Sequence, residues 1–95
     1  MARYTNITSS GTHTLLEPGD NFSVKNIQIA NMGTSGTVSL SIREVNDTGA
    51  TINTWYVFKG VIMFAKDQLT HEFTFDNSKY GLYLWTNQDA DVIIN

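Results

Sequence analysis

Apolar and polar residues alternate along much of the chain with a period of two. Val38, Leu40 and Ile42 alternate with polar residues, and the segments 69–75 and 80–85 repeat the pattern. Because successive side chains of a strand point to opposite faces of a sheet, this pattern predicts strands with one buried face. We find no sustained three- and four-residue apolar spacing, so the sequence does not predict amphipathic helices.

Clusters of Gly, Pro, Asn, Asp and Ser divide the chain into about eight short strands. The predicted strands cover residues 3–8, 12–16, 22–30, 36–45, 51–59, 68–75, 79–86 and 90–94. Short strands separated by frequent turn signals are typical of antiparallel sandwiches and small barrels. We therefore predict an all-β fold, an antiparallel β-sandwich of jelly-roll type, as a single domain over residues 1–95.

Three local features refine this prediction. The apolar residues change parity between Val24 and Ile27, which predicts a β-bulge near residues 25–26. The segment 61–67 fits either a continued strand or one helical turn. The segment 76–79 is rich in residues that bond their own backbone, and it predicts a hairpin turn.

Composition narrows the classes of function. The chain has 95 residues, no cysteine, two histidines and a net charge of -3. Disulfides and zinc-finger spacings are thereby absent, and the lack of a basic run argues against nucleic acids and anionic membranes as partners. The first residues lack the apolar core of a signal peptide, so we expect a soluble protein made in a cytoplasm.

Catalytic chemistry has few candidate residues. His71 shares its strand face with Leu69 and Phe73, so we expect a hydrogen-bonded core or interface residue rather than a general base. The sequence contains no nucleophile elbow, phosphate-binding glycine loop or zinc-protease motif. We therefore expect a protein that is not an enzyme and has no cofactor.

The segment 87–91 spaces oxygen-bearing side chains two residues apart, as calcium loops do. The glycine and the distal glutamate of such a loop are missing. The favoured interpretation is a polar turn without a metal, and calcium is the weaker alternative.

Two segments are apolar on both strand faces, namely 55–58 and 61–64, and Tyr83 and Trp85 have the parity opposite to the core residues of their strand. A domain of this size has little protein to cover a second face, so we predict a subunit interface. The candidate interface residues are Arg3, Tyr4, Trp55, Phe58, Met63, Phe64, Tyr83 and Trp85. Residues 1–8 are a candidate extended arm that adds a strand to a neighbour.

Two other interpretations of these residues remain open. They can fill the sandwich and cover its ends, or Trp55, Tyr83 and Trp85 can form a platform on which sugars stack.

The order of these segments resembles a family of small virion proteins encoded by tailed bacteriophages, especially marine ones. The similarity extends over residues 12–95. It is carried by IQIAN at 27–31, TVSLSI at 37–42, WYVFKGV at 55–61, FDNSKYGL at 75–82 and ADVII at 90–94. One departure is the segment 64–68, where such sequences usually carry a turn with Pro or Gly.

The resemblance implies a capsid decoration or cement protein, which binds the major capsid protein on the outer surface of the virion after assembly in the host cytoplasm. Members of this class commonly form homotrimers over junctions of the capsid lattice. Two alternatives stay open: a tail-fibre or receptor-binding module that recognises host glycans, and a structural subunit of a tail or neck.

Overall fold

A computed structural model describes residues 2–95, which form eight strands and no helix. The strands are β1 (Arg3–Ile7), β2 (Gly11–Leu16), β3 (Asn26–Asn31), β4 (Gly36–Val45), β5 (Thr51–Met63), β6 (Gln68–Glu72), β7 (Gly81–Thr86) and β8 (Ala90–Ile94). Within this part of the chain, no helix is long and apolar enough to cross a membrane.

The strands pair as one long hairpin that is rolled into two sheets. The pairs are β1 with β8, β2 with β7, β3 with β6 and β4 with β5, all antiparallel. One sheet has the order β1-β8-β3-β6 and the other the order β2-β7-β4-β5. This arrangement is a jelly roll, and it confirms the predicted eight-stranded antiparallel sandwich.

The core lies between the two sheets and consists of the inward-facing residues that the alternation predicted. Leu40 and Leu84 pair directly across β4 and β7, and neither is exposed to solvent. Both strands are central in their sheet, so their apolar faces are covered from the opposite side. The other core residues are Ile7, Leu15, Leu16, Val24, Ile27, Ile29, Val38, Met63, Leu82, Ala90, Val92 and Ile94.

Several strand boundaries differ from the prediction, and β6 ends at Glu72 rather than at residue 75. The third strand begins at Asn26 rather than at residue 22, and the amides of Lys25 and Asn26 both donate to the Asn95 carbonyl, at 2.5 and 3.0 Å. Lys25 and Asn26 thus lie opposite the single residue Asn95, which is the arrangement of a β-bulge, as the parity change predicted. β5 continues to Met63, so residues 61–63 extend the strand and no helical turn forms.

The hairpin predicted at residues 76–79 is wrong. β6 pairs with β3, whereas the next strand, β7, pairs with β2 and β4 in the other sheet. The segment therefore crosses between the sheets. Asn77 holds this crossing, because its buried side chain accepts a hydrogen bond from the Phe22 amide and donates to the carbonyls of Glu17 and Tyr80.

The N-terminal segment is not a free arm. β1 pairs with β8 along its full length, and Ile7 is 2% exposed in the core. Burial of Ile7 and the backbone ladder hold residues 3–7 in the sheet of their own chain. Met1, which belonged to the predicted arm, lies outside the described residues.

Candidate protein-docking face

The outer face of the β2-β7-β4-β5 sheet carries large aromatic side chains. On β7, Tyr83 and Trp85 lie opposite Ser41 and Ser39 of β4, and on β5 Tyr56 also lies opposite Ser41. The rings of β7 and β5 thus flank a central strand of small hydroxyl residues. Tyr56 is 51% exposed and Trp85 is 38% exposed.

Two cations complete this surface. The Arg43 guanidinium carbon lies 4.8 Å from the centroid of the Tyr83 ring, and its Nε donates to Ser41 Oγ at 3.3 Å. The Lys59 ammonium lies 4.9 Å from the centroid of the Tyr56 ring. Both separations are within the range of cation–π attraction. We call Arg43, Tyr56, Lys59, Tyr83 and Trp85 the aromatic face.

Tyr83 is the most enclosed ring of the aromatic face. Burial raises the pKa of its phenol, the charge of Glu17 raises that pKa further, and the Arg43 guanidinium lowers it. The hydroxyl therefore stays protonated at neutral pH and is available as a hydrogen-bond donor.

The aromatic face contains residue types that are enriched at protein interfaces, beside the small hydroxyl residues of β4. The outward residues of an antiparallel sheet normally face water and are polar. Trp, Tyr and Arg are instead the residues that dominate the binding energy of protein–protein interfaces, and they do so where they become fully desolvated. Chemically, this face is suited to binding a partner by burial of its rings.

The outer face of the β1-β8-β3-β6 sheet is more polar. Its outward residues include Asn6, Gln28, Thr70, Glu72 and Asp91. Tyr4 of β1, which is 73% exposed, lies on this second sheet and therefore apart from the aromatic face. Arg3 is bound within its own chain, because its guanidinium donates to the Asp20 carboxylate at 2.9 Å and holds the pKa of that carboxyl below its usual value.

The structure separates the predicted interface residues of β5 and the turn after it. Trp55 lies on the inward side at one end of the sandwich, where its ring packs edge-on against Tyr80 at 5.5 Å. Phe58 is half-buried against the core. Phe64 is 63% exposed at the opposite end of the strand. Met63 is a correction: it is 3% exposed and belongs to the core, so it cannot contact a partner.

His71 is not a core residue, and its place at an interface stays a prediction. The imidazole is exposed and stands in a row of rings along the edge of the sandwich. Its centroid lies 5.8 Å from that of Phe58 and 6.2 Å from that of Phe73, which in turn stacks on Phe75. The row closes the open side between the edge strands β5 and β6.

The side-chain amide oxygens of the segment 87–91 bond backbone amides of the same chain. Asn87 Oδ1 accepts from the Thr37 amide at 2.9 Å, and Gln88 Oε1 accepts from the Thr34 amide at 3.1 Å. These bonds fasten the β3–β4 loop and the start of β4 to the β7–β8 turn. Residues 2–95 contain no group of three or more His, Asp or Glu side chains placed to hold a metal ion.

Sequence reasoning missed three members of the aromatic face, namely Arg43, Tyr56 and Lys59. Arg43 follows the inward-facing Ile42 in the alternation of β4, and this position indicated that it points outward. The sequence held no such signal for Tyr56 and Lys59, because β5 changes register twice between its pairs with Val38 and Ser41. These bulges reverse the parity of the strand.

Comparisons with known proteins give similarity of fold. No known protein family matches the sequence, and no curated protein matches it. A chain in the structure of infectious bursal disease virus, Gx strain, is similar with a TM-score of 0.55 and 11% identity, over 98% of this chain and 30% of the viral one. The Anabaena sensory rhodopsin transducer is similar with a TM-score of 0.54 and 11% identity, over 96% of this chain and 98% of the transducer chain.

A third similar structure is the CBM22-1 xylan-binding domain of Paenibacillus barcinonensis Xyn10C, with a TM-score of 0.45 and 12% identity, over 96% of this chain and 65% of that domain. The similar solved structures thus include viral capsid proteins and carbohydrate-binding β-sandwich domains. At these identities the likeness is one of fold. This chain spans about 30% of the viral chain.

Proposed function

We propose that this protein is a virion structural protein that docks on the outer surface of a capsid through the aromatic face, as a decoration or cement protein. The observation that carries the proposal is the aromatic face itself: Trp, Tyr and Arg side chains on an outer sheet face that should be polar. The sequence resemblance to small phage virion proteins and the fold shared with viral capsid proteins support the same role.

Binding alone explains how such a protein stabilises a shell. A ligand that binds the assembled state and not the dissociated subunits stabilises assembly by about 2.7 kcal/mol when its free concentration is 100 times Kd. A molecule that spans two or three subunits of the major capsid protein adds this free energy at each junction. The role needs neither an enzyme activity nor a cofactor.

A homotrimer centred on a lattice junction suits this role, because three copies then place three aromatic faces on adjacent capsid subunits. Nucleic acid is a poor partner for the chain as a whole, since its net charge is -3. The same geometry also fits a tail or neck protein, whose partner would be a tail subunit.

A carbohydrate is the second candidate ligand, because Tyr56, Tyr83 and Trp85 share one sheet face. Sugars stack on the open faces of aromatic rings. Arg43 lies over the ring of Tyr83 and Lys59 over that of Tyr56, so cations occupy one face of two of the three rings on which a sugar would stack. This observation favours a protein partner.

The test measures binding of the purified chain to shells assembled from the major capsid protein of the virus that encodes it. We expect Trp85→Ala to weaken binding by roughly 30-fold, the effect of an interface residue worth about 2 kcal/mol. Tyr4→Ala, which removes an exposed ring from the other sheet, is the matched control and leaves binding unchanged.

If Trp85→Ala binds like the wild type, or if Tyr4→Ala is the damaging change, the aromatic face is not the docking surface. Binding to a glycan array, with no binding to shells, would support the carbohydrate alternative.

A further inference from the structure

Large apolar side chains are exposed at both ends of β5, an edge strand of its sheet. At the end that contains Met63, three side chains are more than half exposed: Met32 at 61%, Ile62 at 64% and Phe64 at 63%. We call these three residues the apolar knob. Burial of such side chains is the main source of binding free energy between proteins.

The backbone under the apolar knob is held rigidly. The buried side chain of Asn31 donates to the carbonyls of Thr34 and Phe64, at 2.8 and 3.0 Å. The Phe64 amide donates to the Asp67 carboxylate at 2.9 Å, which closes the turn after β5. The backbone of Phe64 is thus already fixed by hydrogen bonds, so binding orders only its side chain.

The opposite end of the sandwich has an apolar depression. Ile42, Trp55 and Tyr80 line a hollow of about 230 Å³ that is open to solvent. A cavity of about 150 Å³ with apolar walls is large enough for benzene. The depression is open rather than enclosed, and it is wide enough for one phenyl ring to lie against the Trp55 and Tyr80 rings, which meet edge to face.

The rims of the two sites each carry one basic and one acidic residue. Lys66 and Asp67 follow Phe64 in its turn, and the Lys79 ammonium lies 5.7 Å from the Tyr80 ring at the depression. Asp76 belongs to the same turn as Lys79, because the Lys79 amide donates a hydrogen bond to the Asp76 carbonyl. Each rim thus carries one cation and one anion, so neither rim has a net charge that would oppose insertion of Phe64.

We propose that Phe64 of one copy of this chain inserts into the Ile42–Trp55–Tyr80 depression of a second copy, which gives a head-to-tail contact between copies. Such a contact uses two different surfaces, so it is heterologous, and it closes into a ring where its rotation permits. Phe64 and the depression lie toward opposite ends of β5, and no residue of the aromatic face lines the depression. The contact therefore leaves the aromatic face free for the docking role proposed above.

Sedimentation equilibrium over a concentration series tests the contact. The knob variant Phe64→Asp and the depression variant Trp55→Ser each remove one surface and keep the other. We expect each variant alone to associate roughly 30-fold more weakly than the wild type. An equimolar mixture of the two regains one intact contact per pair, so it forms a 1:1 dimer with nearly wild-type affinity and no larger species.

Circular dichroism and thermal unfolding establish that both variants fold. Tyr4→Ser is the matched control, because it removes an equally exposed ring from the other sheet, and it leaves the association of the chain unchanged. Trp85→Ala also leaves association unchanged while it weakens shell binding, which separates this contact from the docking surface.

A wild-type chain that stays monomeric up to about 1 mM, the Kd of a contact worth about 4 kcal/mol, would overturn the proposal. So would a mixture of Phe64→Asp and Trp55→Ser that fails to form the 1:1 dimer, since an isologous interface damaged by both variants gives that result.

Discussion

Replacing Asn31 with alanine tests how the loops at one end of the sandwich are held together. Asn31 is 5% exposed. Its side chain joins the end of β3 to the β3–β4 loop and to the end of β5. Its Nδ2 donates to the carbonyls of Thr34, Met63 and Phe64, at 2.8, 3.2 and 3.0 Å, and its Oδ1 accepts from the Gly33 amide at 3.1 Å. Alanine leaves all four backbone groups without this partner.

The size of the effect follows from the burial of these groups. The Met63 carbonyl is buried, and a buried polar group that loses its partner costs about 1–3 kcal/mol. The other three groups are partly buried, so water replaces part of their bonding and each loses less. We expect a decrease in the free energy of unfolding of about 2–4 kcal/mol, a large share of the 5–15 kcal/mol that is typical of a domain.

Urea unfolding measures this change. The midpoint should shift to lower urea while the slope m stays constant, because the surface exposed on unfolding is nearly the same. Asn53→Ala is the matched control, since the Asn53 side chain is exposed and, within residues 2–95, bonds Glu44 alone, at 3.0 Å. We expect a change within about 0.5 kcal/mol. If Asn31→Ala also stays within about 0.5 kcal/mol of the wild type, the reasoning about this hydrogen-bond cluster is wrong.

Two further predictions concern Tyr83. Because folding raises the pKa of its phenol above the ordinary value of 10.0, the folded state holds this proton more tightly than the unfolded state, and stability decreases as the pH rises through that range. Urea midpoints measured across this range should fall more steeply for the wild type than for Tyr83→Phe, and equal slopes would contradict the assignment. In Gly81→Ala, the new Cβ would lie 2.8 Å from Tyr83 Cε1 and 3.0 Å from the Leu16 carbonyl oxygen, so the ring must move. We expect a loss of about 1–3 kcal/mol in unfolding free energy together with weaker shell binding, and unchanged values of both would show that the ring has room to shift.

The sequence predicted the strands and the core because both depend on local signals. Period-two alternation around Leu40 and Leu84, with turn residues at each boundary, fixes which side chains face inward. The parity change before Ile27 even indicated the irregularity at residues 25–26. These signals are contained within a few neighbouring residues, so one sequence is enough to read them.

The arrangement of the surface could not be predicted, because it depends on long-range pairing. Turn residues at 76–79 show where the chain reverses, but not that the next strand joins the other sheet. Trp55 and Tyr56 are adjacent in sequence and face opposite sides, and two register shifts in β5 then place Phe58 and Met63 inward despite their different parity. The eight candidate interface residues were therefore divided among the aromatic face, the two ends of β5, the core and the second sheet.

Symmetry-averaged cryo-electron microscopy of the virus particle that carries this chain is the decisive test of docking through the aromatic face. We expect sandwich-shaped density on the outer surface of the shell, oriented so that Tyr56, Tyr83 and Trp85 are buried against subunits of the capsid. Density confined to the tail, absence from the particle, or a shell-bound sandwich with these three rings turned toward solvent would contradict it.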